Sequence, residues 1–298
     1  GSRTNAPSLL LLLASFACAE EGGVPYGFEA APRQNFVFES EERTTIDGTE
    51  VTVVRYAELS LEASSDESRT ELAMRLKRYY LTIDGAPGGT VEFALSDAGL
   101  VTRTPAAGEH RLDADQPTPG GRTVAAVLRR PVGGAFFGAH GELLGEPWQS
   151  YEPSLGDLPL VDWIVLALPV LNAGDARAWE GRRPVPPLGQ YQLGLEIPLR
   201  FIRVGEPGAQ HLVRSSGQVR RTSIRLAPGF EGRLELDHSG EAKMSADGQV
   251  KDARLELRVT FIAEDGSEIT ARYRVRLRQP DADPTFNPLP KGSDTAGG

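Results

Sequence analysis

The 298-residue sequence contains a single cysteine and only four histidines. One cysteine excludes a disulfide within the chain and a zinc site built from several cysteines. No two histidines have the spacing of a metal motif such as His-Glu-x-x-His. The net charge of −9 argues against a general nucleic-acid-binding protein, because such proteins need a basic face to neutralise phosphates. We therefore expect no metal, no cofactor and no nucleic-acid partner.

The common catalytic motifs are missing as well. The glycines between residues 133 and 145 lack the spacing of a phosphate-binding or dinucleotide-binding loop, and no Gly-x-Ser-x-Gly elbow occurs. His238 has Asp237 and Ser239 as neighbours. Adjacent residues of a strand point to opposite sides, so these three cannot form a catalytic triad. The sequence predicts no catalytic residue and places all four histidines at the surface or in turns.

The longest apolar run lies near the N-terminus. Five leucines at residues 9–13 are followed by Ala-Ser-Phe-Ala at residues 14–17. This run has about half of the ~20 residues that a helix needs to cross a bilayer. It is typical of the apolar part of an export signal rather than of a permanent anchor.

The end of this run carries a recognisable motif. Ser15-Phe16-Ala17-Cys18 resembles the box that precedes the acylated cysteine of bacterial lipoprotein precursors. The resemblance implies a signal peptide over residues 1–17, lipidation of Cys18 and attachment to a membrane through the acylated Cys18. Because Ala19 and not an acidic residue follows, it also implies the outer membrane. Two alternatives stay open: simple cleavage and secretion, or a buried apolar segment with an incidental cysteine.

Composition divides the rest of the chain into a body and two polar ends. Residues 18–33, rich in Gly, Pro, Glu and Ala, are expected to form a flexible tether behind the lipidated cysteine. Residues 279–298 contain four prolines and are expected to form a disordered tail. The folded body is then 34–278, either one domain or two sub-sheets divided near 150–185.

Alternating apolar and polar residues dominate this body. Residues 255–261 and 272–278 both alternate, with the turn signal Glu264-Asp265-Gly266-Ser267 between them, which predicts an amphipathic hairpin. Similar strands separated by Asp-Gly turns occur upstream. The sequence predicts a mainly β fold, an antiparallel meander, barrel or half-barrel. Residues 70–81 also contain good helix formers, so a helix there is an alternative.

One segment departs from the alternating pattern. Residues 158–168 are apolar nearly all round and are bracketed by Pro159 and Pro169, which predicts one buried helix, with a strand as the alternative. Asp162 lies inside this run and must be paired, hydrogen-bonded or at the helix surface. Asp162 and Trp163 are candidate contacts to a ligand or partner. Alternatively, an arginine pairs with Asp162, and Trp163 anchors the core.

Charge is distributed unevenly along the chain. Residues 200–278 contain 15 Lys and Arg against 11 Asp and Glu, a local charge of +4 in an acidic protein. Four of these arginines, Arg272, Arg274, Arg276 and Arg278, share one face of the last predicted strand. They form either a solvated strand face or a contact surface for an anionic partner such as lipid headgroups or polysaccharide.

Together these features favour an envelope lipoprotein with a non-enzymatic binding or scaffold domain that holds a lipid or a protein partner. A lipid-carrying form would need an apolar cavity of at least ~300 Å³ on the concave face of the sheet, capped by the helix at 158–168. A filled interior would leave a scaffold or interaction module. The alternative is a secreted or anchored hydrolase of envelope or extracellular polymers, with an acid such as Asp162 acting beside a histidine.

Overall fold

The structure is a computed structural model that describes residues 32–66, 69–85, 88–138, 142–150, 160–169, 177–187, 191, 193–206, 209–247 and 249–280. The predicted signal peptide, Cys18, the tether up to residue 31 and the tail from residue 281 lie outside this set, as does His140. No helix within the described residues is long and apolar enough to cross a membrane.

Fourteen strands and two helices make up the described chain. In chain order they are β1 (Arg33–Ile46), β2 (Thr49–Ser65), β3 (Thr70–Asp84), β4 (Val91–Ser96), β5 (Gly99–Thr104), β6 (Gly108–Asp113), α1 (Pro119–Arg129), β7 (Gly133–Phe137), β8 (Trp148–Gln149), α2 (Leu160–Ala167), β9 (Ala178–Pro184), β10 (Glu196–Val204), β11 (His211–Ala227), β12 (Phe230–Met244), β13 (Val250–Ala263) and β14 (Glu268–Arg278).

All described strands belong to one antiparallel sheet in the order β6-β5-β4-β3-β2-β1-β14-β13-β12-β11-β10-β9, with β7 paired to β3 and β8 to β7. The predicted β fold and antiparallel meander are confirmed. The strands before and after residues 150–185 join through the pairing of β1 with β14. Residues 70–81 lie in strand β3 and not in a helix, because Leu72, Met74 and Leu76 alternate into the core while β2 pairs alongside.

The hairpin between β1 and β2 shows how local sequence directs this meander. Ile46 pairs with Thr49, so Asp47 and Gly48 alone form the loop. Both have positive φ, 47° and 82°, as a type I′ turn requires. Glycine adopts such angles without strain, and the turn has the twist of the flanking strands.

The sheet curls around α2 without closing. This eight-residue helix contacts the neighbouring strands β13 and β14, and also β7 and β9, which lie on opposite sides of that pair in the sheet. The guanidinium carbon of Arg183 in β9 lies 5.6 Å from the ring centroid of Phe137 in β7, so elements from distant parts of the sheet meet beside the helix. The two outermost strands, β6 and β9, are not paired with each other. We call the face that contacts α2 the inner face and its opposite the outer face.

Helix α2 confirms the buried helix predicted near 158–168, of which residues 158 and 159 lie outside the described set. Trp163 is 2% exposed, and its ring centroid lies 4.8 Å from that of Tyr273 in β14. Arg183 is fully buried and donates from Nε to the carbonyl oxygen of Val165, 3.2 Å away. This bond satisfies one of the carbonyls that the end of a helix leaves free. The helix thus fills the inner face of the sheet.

Candidate functional site

The inner face holds a buried ion pair. Arg55 in β2 donates to Glu42 in β1 across 3.0 Å, and the two side chains are only 5% and 9% exposed. Burial, followed by the nearby Glu42 carboxylate, raises the pKa of the Tyr273 phenol. Tyr273 packs against Trp163 of α2, so side chains of the helix and the sheet occupy this part of the inner face.

A second polar group of the inner face is His238. It is 4% exposed, and its Nε2 lies 2.9 Å from Ser215 Oγ. Burial lowers its pKa to about 4. Its Nδ1 has no hydrogen-bond partner among the described residues, which supply no orienting acid of a catalytic triad to this Ser-His pair.

The histidines are therefore not all at the surface. His110 is exposed as expected, but the expectation was wrong for His211 and His238, which are 7% and 4% exposed. In β12, Leu234, Leu236 and His238 have the same parity and all point inward. The polar neighbours of His238 belong to the outer face, so parity was the signal that could have predicted its burial.

Asp162 and Trp163 are neighbours in sequence but have different surroundings. Asp162 is half-buried and accepts a hydrogen bond from Gln149 Nε2 at 3.2 Å, whereas Trp163 is enclosed by the core. No described histidine approaches Asp162 as a hydrogen-bond or ion-pair partner. Among the described residues, no group of three His, Cys, Asp or Glu side chains is arranged to hold a metal ion.

An open site lies on the outer face. It is a groove of about 810 Å³ that crosses seven strands, from β3 through β2, β1, β14, β13 and β12 to β11. Its floor is the backbone of residues whose side chains point inward. These residues occupy one cross-strand row: Arg55, Ser40, Val275, Leu255 and Gly240. The hydrogen bonds of the sheet satisfy this backbone, so the floor is neutral.

Two rows of outward-facing side chains form the walls of the groove. The seven-residue row contains Tyr80, Tyr56, Glu39, Arg276, Arg254, Glu241 and Arg214, each paired with the next across the sheet. The five-residue row contains Val54, Glu41, Arg274, Glu256 and Ser239. The walls therefore combine four arginines and four glutamates with an apolar end at Val54 and the two tyrosines.

The four arginines predicted as a candidate contact surface all lie on this outer face, each near a carboxylate. Arg272 bonds Glu256 at 2.6 Å, Arg276 bonds both oxygens of Asp252 at 2.9 and 3.0 Å, and Arg278 approaches Glu39 at 3.5 Å. Arg274 and Arg276 line the groove, and Arg272 and Arg278 do not.

Arg274 differs from the other three in its pairing. Its nearest carboxylates, Glu41 and Glu256, are both 3.6 Å away, beyond hydrogen-bond distance. Other arginines already occupy them: Arg43 bonds Glu41 at 2.9 Å, and Arg258 bonds Glu256 at 2.5 Å. The Arg274 side chain is 51% exposed. It is therefore an accessible cation that is only weakly paired.

This pairing leaves a local excess of positive charge. Four arginines share two carboxylates: Arg43, Arg258, Arg272 and Arg274 surround Glu41 and Glu256. We call these six residues the arginine cluster. Hydrogen bonds led by that from Arg272 lower the pKa of Glu256, which favours its charged carboxylate form. The cluster has two more arginines than glutamates, and of its arginines Arg274 lines the groove, where it can pair with an anionic group of a ligand.

Comparison with known proteins adds no functional assignment. No protein-family model and no curated protein matches the chain. DynF from the dynemicin biosynthesis pathway of Micromonospora chersina is 8% identical over 83% of this chain and 80% of its own, with a TM-score of 0.22. The beta domain of the Bordetella autotransporter BrkA is 9% identical over 84% of this chain and 100% of its own, at 0.26.

A third solved structure, a DUF1329 family protein from Desulfovibrio piger, is 10% identical over 88% of this chain and 90% of its own, with a TM-score of 0.19. TM-scores this low carry no argument about function.

Proposed function

We propose that this chain is a non-enzymatic envelope lipoprotein whose outer-face groove binds an extended segment of a partner protein. The observation that carries the proposal is the groove itself, which is within the size range of ligand sites and opens on the charged face of the sheet. The inner face, by contrast, is filled by α2, which disfavours a lipid carrier with an apolar interior.

The wall charges favour a peptide over a membrane surface. An anionic bilayer would be attracted by the arginines of the groove but repelled by its four glutamates: Glu39, Glu41, Glu241 and Glu256. A peptide of mixed charge can place acidic side chains against Arg274 and basic ones against Glu39 and Glu41. Such electrostatic complementarity provides specificity and speeds association.

The dimensions also suit an extended chain. Seven neighbouring strands are separated by six intervals of ~4.8 Å, so the groove is about 29 Å long. An extended peptide at ~3.4 Å per residue would fill it with about eight or nine residues. Val54 is 41% exposed at one end and offers apolar contact beside Tyr56 and Tyr80.

Binding can be measured with three fluorescent decapeptides, one alternating Asp and Lys, one all Asp and one all Lys, by anisotropy. We expect the alternating peptide to bind most tightly. Ser239→Trp places a large ring in the groove and should abolish binding. Thr260→Trp is the matched control, because Thr260 lies on the outer face of β13 outside the groove.

Equal binding by the Ser239→Trp and Thr260→Trp variants would contradict the proposed site. A separate arm uses vesicles of phosphatidylglycerol. If these vesicles bind in a manner that Ser239→Trp blocks, and none of the peptides binds, the groove is a lipid-contact surface and the peptide proposal is wrong.

The envelope location depends on Cys18, whose acylation would hold the body at a membrane because each buried acyl CH₂ contributes ~0.8 kcal/mol. The intact mass and membrane fractionation of the wild type are compared with those of Cys18→Ala. We expect the acyl mass and the membrane fraction to be lost together in the variant. A soluble wild-type protein without acyl mass would contradict the lipoprotein assignment.

A further inference from the structure

A second concave site lies between α1 and β8, and it shares no residue with the groove. It is a slot of about 670 Å³. Apolar side chains and aliphatic stems form most of its surface, and none of the carboxylates in the described part of the chain lines it. The lining residues are Pro119, Arg122, Thr123, Ala126, Val127, Arg130, Pro131, Trp148 and Ser150.

Helix α1 supplies one wall through two neighbouring stripes at i, i+4 spacing. One stripe is Arg122 and Ala126, followed by Arg130, the C-cap residue just after the helix, and the other is Pro119, Thr123 and Val127. Thr118 starts the helix, since its side chain accepts a hydrogen bond from the Gly121 amide at 3.1 Å. The slot therefore runs along the whole helix.

Strand β8 supplies the opposite wall and holds it in place. The Trp148 indole packs directly on Gly134, where a Cβ atom would lie only 2.9 Å from Trp148 Nε1. The next residues are fixed by Ser150, whose Oγ donates to the carbonyl of Pro131 at 2.5 Å and whose amide donates to Val132 at 3.1 Å. These contacts within the protein hold the wall opposite α1 in place.

The positive charges beside the slot indicate a ligand with an anionic group. Helix α1 contains no acidic residue, and of the described carboxylates none lies within ion-pair distance of Arg122 or Arg130. These arginines are eight residues apart, so they mark positions about 12 Å apart along the axis. Between them the surface is formed by Ala126, Val127 and Trp148. An elongated apolar ligand with an anionic end matches this arrangement.

We propose that this slot binds a single anionic acyl chain, with the hydrocarbon against Trp148 and Ala126 and the anionic end at Arg130. Arg130 is favoured over Arg122 because Arg122 Nη1 already donates to the carbonyl of Pro117 at 2.9 Å. Arg130 is exposed and follows Arg129, a second exposed arginine. The ligand is either a free long-chain carboxylate or the acyl chain and phosphate of a membrane lipid.

Titration calorimetry of the full chain with decanoate, below its critical micelle concentration, tests the free carboxylate. We expect one site per chain. Ala126→Trp should abolish binding by filling the slot, whereas Ala125→Trp, on the same helix outside the slot, should retain it. Arg130→Gln should weaken binding of decanoate about tenfold, as loss of a charge-assisted bond predicts. Arg129→Gln is its control, and circular dichroism verifies the fold of each variant.

Flotation with phosphatidylglycerol and phosphatidylcholine vesicles tests whether the ligand is a membrane lipid. Binding to phosphatidylglycerol alone, lost in Ala126→Trp and without affinity for decanoate, would identify the ligand as a membrane lipid. The proposal is overturned if neither probe binds, if Ala126→Trp binds like the wild type, or if uncharged 1-decanol binds as tightly as decanoate.

Discussion

The two faces of the sheet use the same ion-pair chemistry in opposite surroundings. On the inner face, Glu42 and Arg55 are 9% and 5% exposed. On the outer face, the side chains of the bonded pair Arg276 and Asp252 are 40% and 12% exposed, and those of Arg254 and Arg274 are 57% and 51% exposed. Adjacent glutamates of β1 separate the two environments, since Glu41 points outward and Glu42 inward.

This difference separates structural from binding roles. A buried pair depends on its partner, because the loss of either charge leaves the other without water or a counter-ion. An exposed pair is weakly stabilising and can exchange its partner for a ligand at little cost. The inner charges therefore stabilise one arrangement of the core, whereas the outer charges are available for recognition.

The largest change in the free energy of unfolding is expected from breaking the inner ion pair of Glu42 and Arg55. Arg55→Met leaves Glu42 buried without its counter-charge, which should reduce the free energy of unfolding by about 3–5 kcal/mol. The double variant Glu42→Leu with Arg55→Met removes both charges and should recover most of this loss. Urea denaturation measures both. A single variant as stable as the wild type would show that the inner pair has no such role.

A somewhat smaller loss of stability is expected at low pH, because the inner face contains the buried His238. Unfolded His238 takes up a proton near its ordinary pKa of 6.5, but the buried side chain does so only near pH 4. The unfolded state therefore binds more protons between these values, and stability falls as the pH drops from about 6.5 to 4.

The full loss from His238 is on the order of 3 kcal/mol. Urea titrations at pH 7 and pH 4.5 compare the wild type with His238→Gln, which should lose less stability on acidification. His110→Gln, at an exposed position, should behave like the wild type. An identical pH dependence in His238→Gln would contradict the effect of burial.

The smallest effect on stability is expected from substitution of arginines on the outer face. Arg276→Gln should cost at most about 1 kcal/mol, and 1 M salt should remove most of the difference by screening the exposed charge. Arg274→Gln should cost less, since its ion pairs are longer, yet weaken binding of the alternating peptide. If Arg276→Gln lowered the free energy of unfolding by several kcal/mol, ion pairs of the outer face would contribute as much to stability as those of the inner face, and the contrast would be wrong.

Part of this organisation was predictable from local pattern. The alternation at residues 255–261 and 272–278 predicted the hairpin of β13 and β14 and placed the four arginines on one face. The apolar run between Pro159 and Pro169 predicted α2. Helix α1 was missed, although Thr118 followed by Pro119 is a recognised start signal.

The groove could not be predicted in the same way. It requires β1 to lie beside β14, a pairing that brings Glu39 to Arg278 across 239 positions of sequence. It also requires the register of seven strands, since a shift of one residue would exchange the two faces. The weak pairing of Arg274 follows from where Arg43, Arg258 and Arg272 lie, and these residues come from three different strands.

The β class, the alternation along most strands and the buried helix follow from residues that are a few positions apart. The path of the whole chain sets which strands become neighbours, which charges meet and where the groove and slot open, because hydrogen bonds between distant strands form only when that path brings them together. Alternation makes one face of a strand polar, but the adjacent strands decide what that face can bind.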